Sequence, residues 1–170
     1  MRLTAKIIPS AKQVKELQER FPEFKPYYFE AIQALFNLAN DLEKAIDLHF
    51  YNHCGKFSRA RFLILLILLH CDHQRMTPHE IAKKLNVTRG NMTGLIDSLV
   101  ASEYVTKTQD EADRRQVWIE MTEKARHFLR NEVFPNYFKK TAKLMSGLSR
   151  EELETFTQTA IKLQKGVPTF

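Results

Sequence analysis

The sequence predicts a mainly α chain with one small β-hairpin. Three observations carry this expectation. Long stretches repeat apolar residues every three or four positions, as one face of a helix requires. β-Branched and aromatic strand formers follow at Tyr104-Val105-Thr106-Lys107-Thr108 and at Val117-Trp118-Ile119. Two capped helical segments run directly into these strands, so the order between Thr77 and Thr122 is helix, turn, helix, hairpin. The expected architecture is a winged helix-turn-helix domain, whose wing is its only β element, plus a helical dimerisation region.

In chain order, Ser10 can cap a short helix carrying Val14, Leu17 and Phe21, ended by Pro22. Such an arm often packs across a partner subunit. From Lys25 to Tyr51 the residues Tyr28, Ile32, Leu35, Ala39, Leu42 and Ile46 recur in steps of four and three, forming an apolar seam that Phe29 and Phe36 widen. A helix of this length reaches about 40 Å at 1.5 Å per residue and outreaches a small domain, so it needs a second surface to cover it. A homodimer supplies one. Ser58 can cap the next helix, Phe57 to Leu69, in which Phe62 to Leu69 are eight consecutive apolar residues. A bilayer needs roughly 20, so this is expected to be a central core helix and not a membrane span.

Thr77-Pro78-His79-Glu80 combines a capping residue, a proline suited to the first turn and a glutamate three residues on that closes a capping box. The helix it opens, through Ile81 and Leu85, breaks at Asn86-Val87. Thr88 then starts a second helix, about 88–102, with Met92, Leu95, Ile96 and Leu99 on one face. After the hairpin, Thr122 caps a helix through Phe128, Leu129, Phe134, Tyr137, Phe138, Ala142 and Met145, which Pro135 should bend and Gly147 end. Ser149 and Glu152 form another capping box for a last helix with Leu153, Phe156, Ala160 and Leu163, stopped by Gly166 and Pro168. The expected organisation is an N-terminal arm and dimerisation helix (1–53), a winged helix-turn-helix domain (54–122) and C-terminal dimerisation helices (123–170).

The second helix of the pair is built to lie in a groove. Opposite its apolar face it carries Gly90, Gly94 and Asp97, flanked by Asn91 and Thr93. Two helical glycines cost roughly 1 kcal/mol each relative to alanine, so their placement suggests close approach of another body to the backbone. The competing reading is tight packing of a neighbouring helix, with the polar residues merely solvated; the capped helix before and the wing after favour the first. Arg89, Asn91 and Thr93 gather with the capping Thr88 at the N-terminal end, where backbone N–H groups can meet phosphate, Arg89 can pair with guanine and Asn91 with adenine. In the loop Asp110-Glu111-Ala112-Asp113-Arg114-Arg115, within a wing of about 109–116, Arg115 is assigned to minor-groove insertion, Asp113 to bracing it and Arg114 to a phosphate contact. A solvated hairpin tip is the ordinary alternative for such a charge run.

At these residues the chain resembles the MarR (multiple antibiotic resistance regulator) family of bacterial winged helix-turn-helix transcription factors. The matching pieces are Thr77 to Leu85, Val87 to Leu95, Asp113-Arg114-Arg115 and the exit Met121-Thr122-Glu123-Lys124, and the looser likeness runs from about Phe57 to Leu163. Two departures are Ala125, where the family often has glycine, and Gly94, where many members carry a basic residue. The resemblance implies a homodimeric regulator, expected to be a repressor, on double-stranded DNA with a pseudo-palindromic operator. It also implies a small aromatic or phenolic effector entering the junction between dimer base and DNA-binding domain. Twelve Phe and five Tyr furnish such a pocket or an ordinary core alike.

Composition bounds this reading without deciding it. A chain of 170 residues, 44% hydrophobic and 27% charged, is ordinary for a soluble domain. The net charge of +6 suits a polyanionic partner. It is not concentrated in the proposed reader, where Cys54 to Thr122 holds ten Lys/Arg against eight Asp/Glu. Pro9 cuts short Ile7-Ile8, leaving no signal-peptide core, so cytoplasmic placement is expected, at the nucleoid when DNA is bound. His49, His53, His70 and His73 have metal-ligand chemistry, yet they sit on separate elements with no compact Cys-x-x-Cys pattern, and exposed helix-end histidines are expected. Cys54 and Cys71 are expected to be reduced and structural, although some members of the family sense oxidants through thiols. No cofactor is expected, and no phosphate loop, activated nucleophile or metal-hydrolase spacing points to an enzyme. The alternative is a winged-helix protein-interaction or anti-activator module without its own operator.

Overall fold

The computed structural model describes residues 10–54, 57–71, 75–110, 113 and 116–167, without the side chains of His53 and Arg89. The chain divides into two compact units, Met1–Leu63 and Ile64–Phe170.

The first unit opens with α1 (Ala11–Arg20), where Ser10 Oγ accepts from the Gln13 amide and the Gln13 side chain accepts from the Ser10 N–H at 2.8 Å. Helix α2 (Pro26–His53) runs the length the apolar seam predicted. Beyond a reversal at Cys54, α3 (Arg59–His70) begins with Ser58 Oγ accepting from the Arg61 N–H. The return is fixed by aromatic and ionic contacts. Phe50 packs on Phe62 with ring centres 4.8 Å apart, and the Arg59 guanidinium lies 3.2 Å from Glu43 and 3.4 Å from Asp47. His49 corrects the expectation of an exposed helix-end histidine: only 5% of it is accessible, and its ring lies 5.8 Å from that of Phe50. The chain returning past Phe57 and Arg59 covers this end of α2, which no local pattern announces.

In the second unit the remainder of α3 buries Ile64, Leu65 and Leu68 completely, as expected of a core helix. Strand β1 (Arg75–Met76) leads into α4 (Pro78–Leu85), α5 (Arg89–Ala101), β2 (Val105–Gln109) and β3 (Val117–Met121). The sheet is antiparallel in the order β1-β3-β2, with Met76 opposite Ile119 and Val105 opposite Met121. The predicted hairpin is therefore two strands of three. A two-residue strand is too short to reveal an alternation, so β1 was invisible in the sequence.

Local chemistry sets the helix boundaries. Thr77 and Glu80 form the capping box, with the Thr77 N–H donating to Glu80 Oε2 at 2.8 Å, and Asn86 ends α4 in the left-handed region at φ 52°. Helix α5 lays Met92, Ile96 and Leu99 into the core against α4 and β2, with Leu95 half-buried. Glu103 takes φ 60°, and the Tyr104 N–H bonds to the Leu99 carbonyl, so pairing starts at Val105, one residue later than the strand formers suggest. After Thr122 the expected single bent helix is α6 (Glu123–Phe128), a π-helical stretch Leu129–Val133 and α7 (Phe134–Met145). Pro135 has no N–H and its ring crowds the carbonyl four residues back, so the preceding turn widens. The last helix, α8 (Arg150–Gly166), starts at the Ser149–Glu152 capping box. Among the described residues no helix is long and apolar enough to cross a membrane.

These caps predict an acid-sensitive fold. The Thr77 backbone N–H, then its hydroxyl, hold the Glu80 carboxyl below the ordinary glutamate range; the Ser149 backbone does the same for Glu152, and the hydrogen bond from Lys124 for Glu103. A depressed folded value adds stability that is complete above the unfolded value and is lost as pH falls through the folded one. Glu80→Gln should therefore lower the melting temperature at neutral pH by about 1–3 °C. It should leave the melting temperature unchanged at the acid end, where the wild-type carboxyl is itself protonated; thermal melts across the acid limb read this out.

Candidate nucleic-acid interface

Helix α5 presents the residues the sequence marked. Its first turn is capped by Thr88, whose hydroxyl accepts from the Asn91 N–H at 3.5 Å. The cap leaves the other leading amides of the helix with its positive dipole end, which attracts anions. Asn91 and Thr93 are exposed on that side, together with the backbone of Gly90 and Gly94; the side chain of Arg89 lies outside the described residues. A Cβ built on Gly90 or Gly94 would meet no described atom within 4 Å. Packing among the described residues therefore does not require either glycine, and no helix among them sits close enough to be their reason. What remains is a smooth strip of helix backbone open to an incoming surface.

Asp97, one turn beyond Gly94, forms an ion pair with Lys107 of β2. The pair ties the outer side of α5 to the wing strand, a contribution of at most about 1 kcal/mol at this exposure. At the base of the wing, Thr122 Oγ1 donates to the Glu103 carbonyl at 2.8 Å, and Lys124 pairs with Glu103 at 2.6 Å.

The wing loop is organised by a residue that sequence reasoning passed over. Asp110 Oδ2 accepts from the Trp118 indole N–H at 2.8 Å, and its Oδ1 accepts from the Asp113 backbone N–H at 3.0 Å. The Gln116 N–H closes the loop on the Asp113 carbonyl at 2.8 Å. Asp113, expected to brace Arg115, is exposed, and its backbone bonds to both Asp110 and Gln116. Arg114 and Arg115 lie outside the described residues. No local sequence signal marks Asp110 as the partner of Trp118; the register across the hairpin decides it.

Fold and wing meet at an open hollow of about 450 Å³ whose wall includes Thr77, His79, Thr93, Asp113 and Gln116. The structure thus brings Thr93 of α5 and Asp113 of the wing to one surface, although 20 residues separate them in the chain. Of the histidines considered as metal ligands, His73 and the side chain of His53 lie outside the described residues, His49 is buried, and His70 is exposed with Nδ1 2.8 Å from the Leu66 carbonyl. Among the described residues no three His, Cys, Asp or Glu side chains converge on a possible ion site. What the site offers is a helix terminus, amide and hydroxyl side chains and a bare backbone strip beside a hairpin loop. That equipment suits recognition of a surface.

Comparison with known proteins agrees with this geometry. The MarR family model matches residues 57–117. The chain is 32% identical over 153 residues to the HTH-type transcriptional regulator PapX of Escherichia coli, covering 89% of this chain and 91% of that protein. It is 28% identical over 153 residues to the HTH-type transcriptional repressor YetL of Bacillus subtilis strain 168, with 90% of each covered. Among solved structures, a MarR family transcriptional regulator from Streptomyces coelicolor in complex with DNA superimposes with a TM-score of 0.76 at 16% identity, over 85% of this chain and 93% of that one.

Proposed function

The chain belongs to the MarR family, and from that membership we propose that it is a homodimeric DNA-binding transcriptional regulator, acting as a repressor on a pseudo-palindromic operator. The observation that carries the DNA reading is the open strip at Gly90 and Gly94, beside the exposed Asn91 and Thr93. With α5 in the major groove, Arg89 and Asn91 read base edges, Thr88 and Thr93 meet phosphate or base, and the two glycines let the groove wall approach. The wing lies along the adjacent minor groove, with Arg115 inserted, Arg114 on phosphate and Asp113 alongside. Half-sites then lie about one helical turn apart, roughly 34 Å.

The dimer reading is supported by apolar faces left uncovered within each unit. On α2, Tyr28, Ile32, Leu35 and Phe36 are all exposed, Phe36 to 58%. No residue of α7 or α8 is buried, although Phe138, Phe156 and Leu163 lie along them. Amphipathic helices with an uncovered apolar stripe call for a partner surface, and a second copy offers the same one. A small aromatic or phenolic effector that weakens operator binding completes the proposal.

The test is a footprint on DNA flanking the protein's own gene. Asn91→Ala should relax preference at one base position in each half-site, whereas Arg115→Ala should weaken all sequences together and flatten the salt dependence by about one unit of slope. An Arg115→Ala protein that binds its operator at full strength across a salt titration defeats the wing assignment. A wild-type protein with no preferred site, paired with a pulled-down protein partner, would favour the interaction-module alternative.

A further inference from the structure

The hydrogen-bond pattern around the wing points to Trp118 as the positioning residue that sets the wing for DNA, acting through Asp110. This rests on the DNA-binding reading above and adds the element that orients the loop.

Strand β3 alternates, so Ile119 enters the core while Trp118 stands on the opposite, outer face of the sheet across from Thr108. On that face its ring is covered by the Arg75 guanidinium of β1, 4.7 Å from the ring centre, which restrains the indole between two strands. The indole N–H is a donor with no acceptor capacity, and it is aimed at Asp110 Oδ2 at 2.8 Å. The other oxygen of the same carboxylate receives the Asp113 N–H at 3.0 Å, immediately before Arg114 and Arg115. The Asp110 backbone N–H also donates to the Gln116 carbonyl at 3.0 Å. A rigid sheet residue thus holds one oxygen of a bridging carboxylate while the loop backbone hangs from the other. Charge-assisted bonds of this kind are the strong ones, and they fix direction as well as distance. The arrangement fixes where the chain enters the Arg114-Arg115 segment, so the wing is presented to the minor groove partly preorganised and the entropy of ordering it on DNA is reduced.

The measurement is operator affinity by fluorescence anisotropy on a labelled duplex, with thermal melts of each protein. Trp118→Phe keeps an aromatic ring under Arg75 but removes the N–H; it should weaken operator binding about tenfold with little change in melting temperature. Asp110→Ala should weaken it at least as much. The decisive readout is the double variant: if Trp118 acts through Asp110, the pair should bind no more weakly than Asp110→Ala alone, whereas two independent packing losses would multiply. Should Trp118→Phe fail to fold, Asp110→Ala carries the same expectation of lost affinity at unchanged melting. Wild-type affinity in both single variants, or losses that multiply, overturns the proposal. Absence of operator preference in the wild-type protein defeats the regulator reading itself, and the two failures are therefore distinguishable. Trp118 is the only tryptophan of the chain, so its emission should also shift when operator is added.

Discussion

A protein carrying Gly94→Glu should melt at or above the wild-type temperature and yet lose at least 100-fold in operator affinity. The two halves of this expectation come from separate physics. A Cβ at position 94 meets no described atom within 4 Å, so the fold has room for the side chain. Replacing a mid-helix glycine also removes a conformational-entropy penalty of up to about 1 kcal/mol. On the DNA side the same open space is where the groove wall would come. A glutamate there fills the approach path and sets a carboxylate against phosphates, and each lost or opposed phosphate contact weighs on affinity and on its salt dependence. Gly94→Ala should fall between, with a small gain in stability and a modest loss of binding. Anisotropy titrations beside thermal melts separate the two effects. Full-strength binding by Gly94→Glu would mean that this strip of α5 never touches DNA.

Leu35→Glu should convert the protein to a monomer and reduce operator affinity by 10²–10⁴-fold. Leu35 sits on the α2 seam and is 41% exposed in the single chain, so the charge costs the subunit little. In an apolar interface it would be desolvated twice, once from each copy, with no cation facing it on the seam positions Ile32, Ala39 and Leu42. Two linked readers bind a palindrome far more tightly than one because the second contact is intramolecular. Sedimentation equilibrium reports the mass, and the operator titration reports the coupling. A dimer that survives Leu35→Glu would place the interface on another face, with α7 and α8 the next to substitute.

The helix starts were legible in the sequence because each is decided by contacts between residues three apart. Thr77 with Glu80 and Ser149 with Glu152 are complete as local machines, and their geometry is as the pattern demanded. The core faces of α4 and α5 were legible for a related reason. The helical repeat alone places Ile81, Met92, Ile96 and Leu99 inward, and all four are buried to within 1%. Strand β1 was not legible, since two residues define no period and their pairing partner lies more than 40 positions away. Burial of His49 and the widened turn before Pro135 were likewise missed, the first because it depends on where the chain returns, the second because a bend has several ways to form.

The wing divides along the same line. Its position, its strand formers and its charged loop stood in the sequence, as did the glycine-faced helix beside it, because period, propensity and turn chemistry act over a few residues. The bond from Trp118 to Asp110 did not, nor did the meeting of Thr93 with Asp113 at one hollow. Those depend on cross-strand register and on the packing of α4, α5 and the sheet, interactions between residues far apart in the chain. Local rules determined the parts of this reader, and only the tertiary structure decided which side chains stand next to one another, because proximity in space is set by long-range packing that no short window of sequence contains.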